Sequence, residues 1–188
     1  GSSLDWIDEN GQLIGHCPMP ETDAELQRFM VGGVSLLHHP TAMVRRSPML
    51  AVGGYDETLQ TSIDLDLWLK LGEIGRLANL PEPLLLYRLH NCSVTNAKQA
   101  QQSQDALTAC QQAWQRRGIQ GEFIRQPADH MKQYDFWLKC GREGLQSGRR
   151  DVARRCGRRA IAIRPQGRNA WKLFVSSFFK PLPKSESL

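Results

Sequence analysis

Long apolar runs are missing from this chain. No stretch of its 188 residues approaches the roughly 18 apolar residues of a membrane-spanning helix, so no spanning segment is expected. The first residues, GSSLDWIDENGQ, contain neither a basic leader nor an apolar segment, and no signal peptide is expected. Cysteine is sparse in pattern: Cys17, Cys92, Cys110, Cys140 and Cys156 are odd in number and include no CxxC pair. A disulfide framework or a zinc site would need closer or more regular spacing, so reduced thiols in a cytoplasmic protein are expected. A phosphate loop is lacking too, because no Lys or Ser/Thr follows Gly53-Gly54 at the required distance. The chain also lacks a recognised nucleic-acid motif and any basic–aromatic interleaving on strands, so no nucleic-acid partner is expected.

What is present is a charge imbalance along the chain. Apolar residues make up 40% and charged residues 23%, ordinary values for a globular domain. Residues 1–98 hold 7 Lys/Arg against 12 Asp/Glu, a net of −5; residues 99–188 hold 17 against 7, a net of +10. The two halves therefore favour different partners, and the basic half favours an anionic surface.

Periodicity divides the chain in the same way. WIDENGQLIG reads as two short strands about an Asn10-Gly11 turn. A helix follows, capped by Thr22 or Asp23, with Leu26, Phe29 and Met30 as its apolar stripe and Gly32-Gly33 at its end. Thr41 to Arg45 reads as a strand, followed by a proline-marked short helix and a Gly53-Gly54 turn. Leu65, Trp68, Leu69 and Leu71 recur at helical spacing up to Gly75, with Trp68 in the core. Leu77 to Leu80 reads as a short strand, Pro81 and Pro83 as punctuation, and LLLYRLH as a buried strand. From Ala97 the pattern is helical: one long Ala- and Gln-rich helix to Gly118, a helix pair joined at Gly148, and a third helix in NAWKLFVSSFFKP.

Three blocks in order, HPTAMVRRSPMLAVGGYDETL, SIDLDLWLKLGEIGRLANLPEPLLLYRLH and NCSVT, carry a family likeness. Together with the WIDENGQLIG hairpin they resemble the C-terminal, acceptor-side part of family-two glycosyltransferases of GT-A type. The family shows a histidine-led strand before a Gly-Gly-Tyr-Asp turn, then an acidic motif opening a helix, then a strand ending Tyr-Arg-x-His. The likeness implies an α/β fold in which residues 1–96 form part of a Rossmann-like nucleotide-diphospho-sugar transferase domain. Residues 97–126 would form a long helix and linker, and residues 127–188 a basic helical tail. The family's nucleotide-binding half, ending in an Asp-x-Asp metal motif, has no counterpart before WIDENGQ, so the chain reads as a fragment lacking most of the donor site.

The resemblance implies inverting transfer from a nucleotide sugar to an acceptor hydroxyl, on a glycan or a lipid-linked acceptor, in polysaccharide, lipopolysaccharide or glycan biosynthesis. Such chemistry needs a carboxylate to take the hydroxyl proton, and a divalent metal (Mn2+ or Mg2+) with cationic groups to stabilise the departing diphosphate. The family's acidic motif, Glu-Asp-x-Asp-Leu-Trp, places its base on Asp64. As the residue before a helical pattern, Asp64 also fits a plain N-cap, and the two roles are compatible. Asp66 is the second carboxylate, either a substrate contact or a partner of the helix dipole. His90 and Arg88 share one face of the YRLH strand, which the resemblance places near the diphosphate, with His90 able to touch metal or phosphate. His39 is the candidate acceptor contact of the His38-His39 pair, whose rings point to opposite sides. Ile63 stands where the family has Glu, and that departure favours an alternative reading as a non-catalytic, degenerate binding module.

Paired arginines in RRDVARRCGRR form a cationic band beside an apolar stripe of Val152, Cys156, Ala160 and Ile163. With Trp171, Phe174, Phe178 and Phe179 beyond it, this tail is expected either to pack on itself or to attach peripherally to an anionic membrane at its cytoplasmic face.

Overall fold

The structure, a computed structural model, describes residues 1–8, 10–88, 99–123 and 130–179. A hairpin opens the chain, pairing β1 (Ser2–Ile7) with β2 (Leu13–Cys17). Only Gly11 of the Asn-Gly pair takes a positive φ, 81°. Its N–H donates to Asp8 O at 3.0 Å, and Asp8 N–H donates to Gln12 O at 2.9 Å. The loop is therefore one residue longer than the two-residue turn read from the sequence. Asp8 Oδ1 secures it by accepting from the N–H groups of Asn10 and Gln12.

The sheet has the order β2-β1-β3, with β3 spanning Leu80–Arg88 at one edge. Gly1 N–H donates to Ala78 O and Gly1 O accepts from Leu80 N–H. That slanted pair is the parallel pattern, so the sheet is mixed and the fold is α/β. Leu77 to Leu80 is not a separate strand. Leu77 N–H is taken by Asp23 Oδ1, and the Asn79 side chain donates to Pro20 O and Leu36 O, so this segment ties loops together. Pro81 and Pro83 lie inside β3, which an edge strand tolerates because it has no ladder partner on one side. Nor is β3 buried: Leu84 and Leu86 are 67% and 62% exposed.

The chain divides into two compact units, residues 1–5 with 17–125, and residues 6–16 with 126–188. In the first, α1 (Asp23–Val31) starts at Thr22, whose hydroxyl accepts from Glu25 N–H as the N-cap and donates to the Glu25 carboxylate. Leu26 and Met30 are fully buried, while Phe29 is exposed. The expected strand at Thr41 to Arg45 is instead a 3-10 turn, His39–Thr41, followed by unpaired extended backbone. Pro40 suits the start of that turn, and the Thr41 hydroxyl donates to His38 O. Next come α2 (Arg46–Ala51), α3 (Ile63–Ile74) and α4 (Gln99–Arg116).

Small residues on α4 (Ala106, Ala109, Cys110 and Ala113) are all buried against the core that holds Leu26, Met30, Leu65 and Trp68. Trp68 is 1% exposed, and its indole N–H donates to Leu37 O at 3.1 Å. Arg117 bolts the far end of α4 to α3 through Leu69 O at 2.8 Å. At the near end, buried Asp105 accepts from Thr61 N–H, Thr61 Oγ1, Gln60 N–H and Gln101 Nε2 at 2.7–3.1 Å.

The second unit is built from α5 (His130–Gln146), α6 (Arg150–Ile163) and α7 (Arg168–Phe179). Gly148, at φ 74°, turns the chain between the first two. Gly157 lets α6 and α7 approach closely, since a Cβ there would lie 3.1 Å from the Phe174 backbone. The hairpin tip belongs to this unit: Asp8 pairs with Arg155 at 2.6 Å, and the Trp6 and Phe136 rings meet edge-on. Burial pushes the Cys156 thiol up to about 12, with Cys140 adding to the effect, so this thiol is held unreactive.

Burial pushes the Asp105 carboxyl up, but its four hydrogen bonds outweigh this and hold it below the ordinary 3.8. Its stabilising contribution is therefore complete above 3.8 and is lost as pH falls through the lower folded-state value. Asp105→Asn is expected to cost about 1–3 kcal/mol at neutral pH and to flatten the acid limb of stability. Urea denaturation across an acidic pH series measures both.

Candidate functional site

Ser62 is the one non-glycine residue with a positive φ among the described residues, at φ 52° and ψ 20°. Such a conformation costs on the order of 1–3 kcal/mol and persists only where its surroundings enforce it. Here α4 enforces it: Asp105 grips Thr61, and Ser62 Oγ donates to Gln102 O at 3.1 Å. With its hydroxyl so engaged, Ser62 makes no side-chain cap on α3.

Asp64 is thus not the N-cap but the second residue of α3, in the first turn. Its Oδ1 accepts from Leu65 N–H at 2.9 Å. No hydrogen bond engages Oδ2 among the described residues, and the side chain is only partly buried. The positive end of the helix dipole favours a carboxylate in this place.

The two adjacent histidines serve different neighbours. The His38 ring lies 6.1 Å from that of Tyr87, near the end of β3. Burial lowers the His38 pKa, and the nearby Asp64 carboxylate offsets part of that effect. His39 Nε2 shares a 2.7 Å hydrogen bond with Tyr55 Oη, and its ring lies 6.0 Å from Trp68. Tyr55 is presented by the Gly53-Gly54 turn, whose φ values of 83° and 68° require glycine. The 3-10 turn, the Gly-Gly turn, β3 and the start of α3 therefore contribute a carboxylate, two imidazoles and two phenols to one region of the first unit.

Asp66, expected as a substrate contact, is closed to any ligand in this structure. It has no exposed surface, and its Oδ2 pairs with Lys70 at 2.7 Å. Its neighbours in α3 explain this, since Leu65, Leu67, Trp68 and Leu69 are buried with it. Arg88 is exposed at the last position of β3. His90, expected at the metal or the diphosphate, lies outside the described residues.

Tyr55, Tyr87, His38 and Ser62 were not singled out by sequence reasoning as site residues. The tyrosines lie inside the GGYD and YRLH blocks, which was the available signal. Nothing in the sequence marked the strain at Ser62.

A separate cleft of about 730 Å³ lies between α2 and α3, lined by Leu37, Met43, Arg45, Trp68, Ile74 and Arg76 among others. It contains none of the expected catalytic residues. Among the described residues, no group of three or more His, Cys, Asp or Glu side chains is placed to hold a metal ion. No helix among them is long and apolar enough to cross a membrane.

Comparison with protein-family models, with curated proteins and with solved structures found no match to this chain.

His38 should titrate below its ordinary 6.5 in the folded protein. Asp64→Asn removes the carboxylate that opposes the burial effect and should lower the His38 value further. An NMR titration of the imidazole protons tests this; an unchanged His38 pKa in the variant would show that Asp64 does not act on it.

Proposed function

We propose that this chain carries the acceptor side of an inverting, family-two glycosyltransferase of GT-A type, with Asp64 as the general base. The motif order in the sequence supports the family. The observation that carries the catalytic reading is the Asp64 carboxylate, held in the first turn of α3 just after the strained Ser62, with no hydrogen bond to Oδ2 among the described residues, beside a histidine whose burial favours the neutral form.

In this reading an acceptor hydroxyl donates to Asp64 Oδ2. As the hydroxyl oxygen attacks the anomeric carbon, its proton passes to Asp64. The sugar–phosphate bond breaks from the opposite face, and its electron pair leaves on the diphosphate. A neutral His38 does not neutralise the Asp64 charge, which keeps that carboxylate competent as a base. His39 and Tyr55, fixed to each other by their hydrogen bond, offer polar groups for a second acceptor hydroxyl. Arg88 and His90 are the proposed contacts of this chain to the diphosphate. A divalent metal, Mn2+ or Mg2+, would supply further charge stabilisation for the leaving group, and the described residues do not form its site. The acceptor class proposed is a glycan or a lipid-linked sugar of cell-envelope polysaccharide synthesis.

A second reading has one specific observation behind it. Ile63, where the family carries Glu, packs onto the apolar core of the first unit. A side chain committed to packing cannot orient an acceptor, as expected of a sugar-binding module without transferase activity.

The readings separate on nucleoside diphosphate release by the full-length gene product from a panel of UDP- and GDP-sugars with manganese or magnesium. Asp64→Asn should lower turnover by about 10²–10⁴ while leaving the circular dichroism unchanged. Turnover insensitive to Asp64→Asn would overturn its role as base. Absence of release with every donor, together with saturable glycoside binding, would favour the binding module.

A further inference from the structure

Helix α7 uses one narrow face for packing and leaves a wide apolar one uncovered. Ala170, Leu173 and Ser177 are buried within the second unit. The opposite arc carries Trp171, Val175, Phe178 and Phe179, which are 47%, 49%, 44% and 80% exposed. The spacing of 171, 174, 175, 178 and 179 is that of a single helical stripe. The rings form a continuous ladder: Trp171 to Phe174 at 6.3 Å, Phe174 to Phe178 at 5.3 Å, and Phe178 to Phe179 at 6.3 Å. Isolated exposed apolar residues need no explanation, but a contiguous aromatic stripe on a helix does.

Cations border the stripe on both sides. From α6, the Arg154 guanidinium sits 4.1 Å from the centre of the Phe178 ring, and that of Arg158 sits 5.7 Å from the Phe174 ring. Neither arginine meets a carboxylate among the described residues. From α7 itself, Arg168 and Lys172 fall on the exposed arc at helical spacing and are exposed. Residues 134–179 hold 11 Lys/Arg against 3 Asp/Glu, a net of +8.

We infer that this face is a membrane-docking surface, in which the α7 stripe enters the headgroup region of an anionic phospholipid bilayer and Arg154, Arg158, Arg168 and Lys172 meet lipid phosphates. An apolar aromatic stripe alone would fit many partners; charge complementarity selects the anionic lipid surface. Such a stripe suits the interface, where an amphipathic helix buries its apolar face at the boundary of headgroups and acyl chains. Arginines stacked on the rings keep their charge at the rim of the buried patch, where each basic residue strengthens partition by about fivefold. The helix lies on the surface, since α7 is far too short to cross it. This inference is independent of the role given to Asp64.

The test is co-sedimentation of the full chain with vesicles of phosphatidylcholine alone and of equimolar phosphatidylcholine and phosphatidylglycerol, at low and high salt. Binding is expected only to the anionic vesicles and should weaken with salt. Phe178→Ser with Phe179→Ser should lower partition by about tenfold or more. Arg158→Glu should lower it while leaving the rings in place, and both variants should keep the wild-type helical circular dichroism. No binding to anionic vesicles, equal binding to both vesicle types, or binding unaffected by either variant would overturn the inference. So would a concentration-dependent dimer, seen by sedimentation velocity and abolished by the Phe178/Phe179 variant, because a second copy would then cover the stripe.

Discussion

The geometry of the first unit depends on one carboxylate, that of Asp105. By gathering two backbone N–H groups, a hydroxyl and an amide, it fixes the Gln60–Thr61 segment against α4. That leaves Ser62 no relaxed conformation, and its left-handed backbone aims the next residues into the first turn of α3. The position of Asp64 is therefore set from a helix about forty residues further along the chain. Strain held in this manner near a polar cluster is a common means of pre-organising a site.

Two carboxylates two residues apart show what the arrangement does. Asp64 and Asp66 share one helical turn and one dipole, yet their surroundings differ. Asp66 is enclosed, with Oδ2 paired to Lys70. Asp64 keeps an oxygen unengaged among the described residues, beside a histidine whose proton affinity burial has reduced. The contrast is one of environment rather than residue type, the usual basis for assigning acid–base roles.

The sequence made some of this legible and hid the rest for physical reasons. The Thr22 cap of α1, the end of α3 at Gly75, the end of α4 near Gly118 and the turn at Gly148 follow from local rules, and local rules found them. The strand expected at Thr41 failed because Pro40 and the Thr41 hydroxyl build a turn from within. LLLYRLH was read as buried because an apolar run signals a strand but does not say what covers it. At the site, Asp64 was visible through its motif, and His39 through the histidine-led block of the family likeness. Which histidine meets which partner was not visible, since it depends on Tyr55 and Tyr87, which reach the region from other segments. The clamp from Asp105 was hidden for the same reason, being an interaction between residues far apart in the chain.

The central claim is that a sugar acceptor meets the protein at Asp64 and the two histidines, not in the apolar cleft between α2 and α3. Shift mapping of the full-length gene product with a panel of methyl glycosides tests it most directly, by following the His38 and His39 imidazole signals against the Met43 methyl at the cleft. The account predicts saturable shifts at the two histidines with Met43 unmoved. Shifts at Met43 with both imidazoles unchanged would contradict it and move the binding site to the cleft.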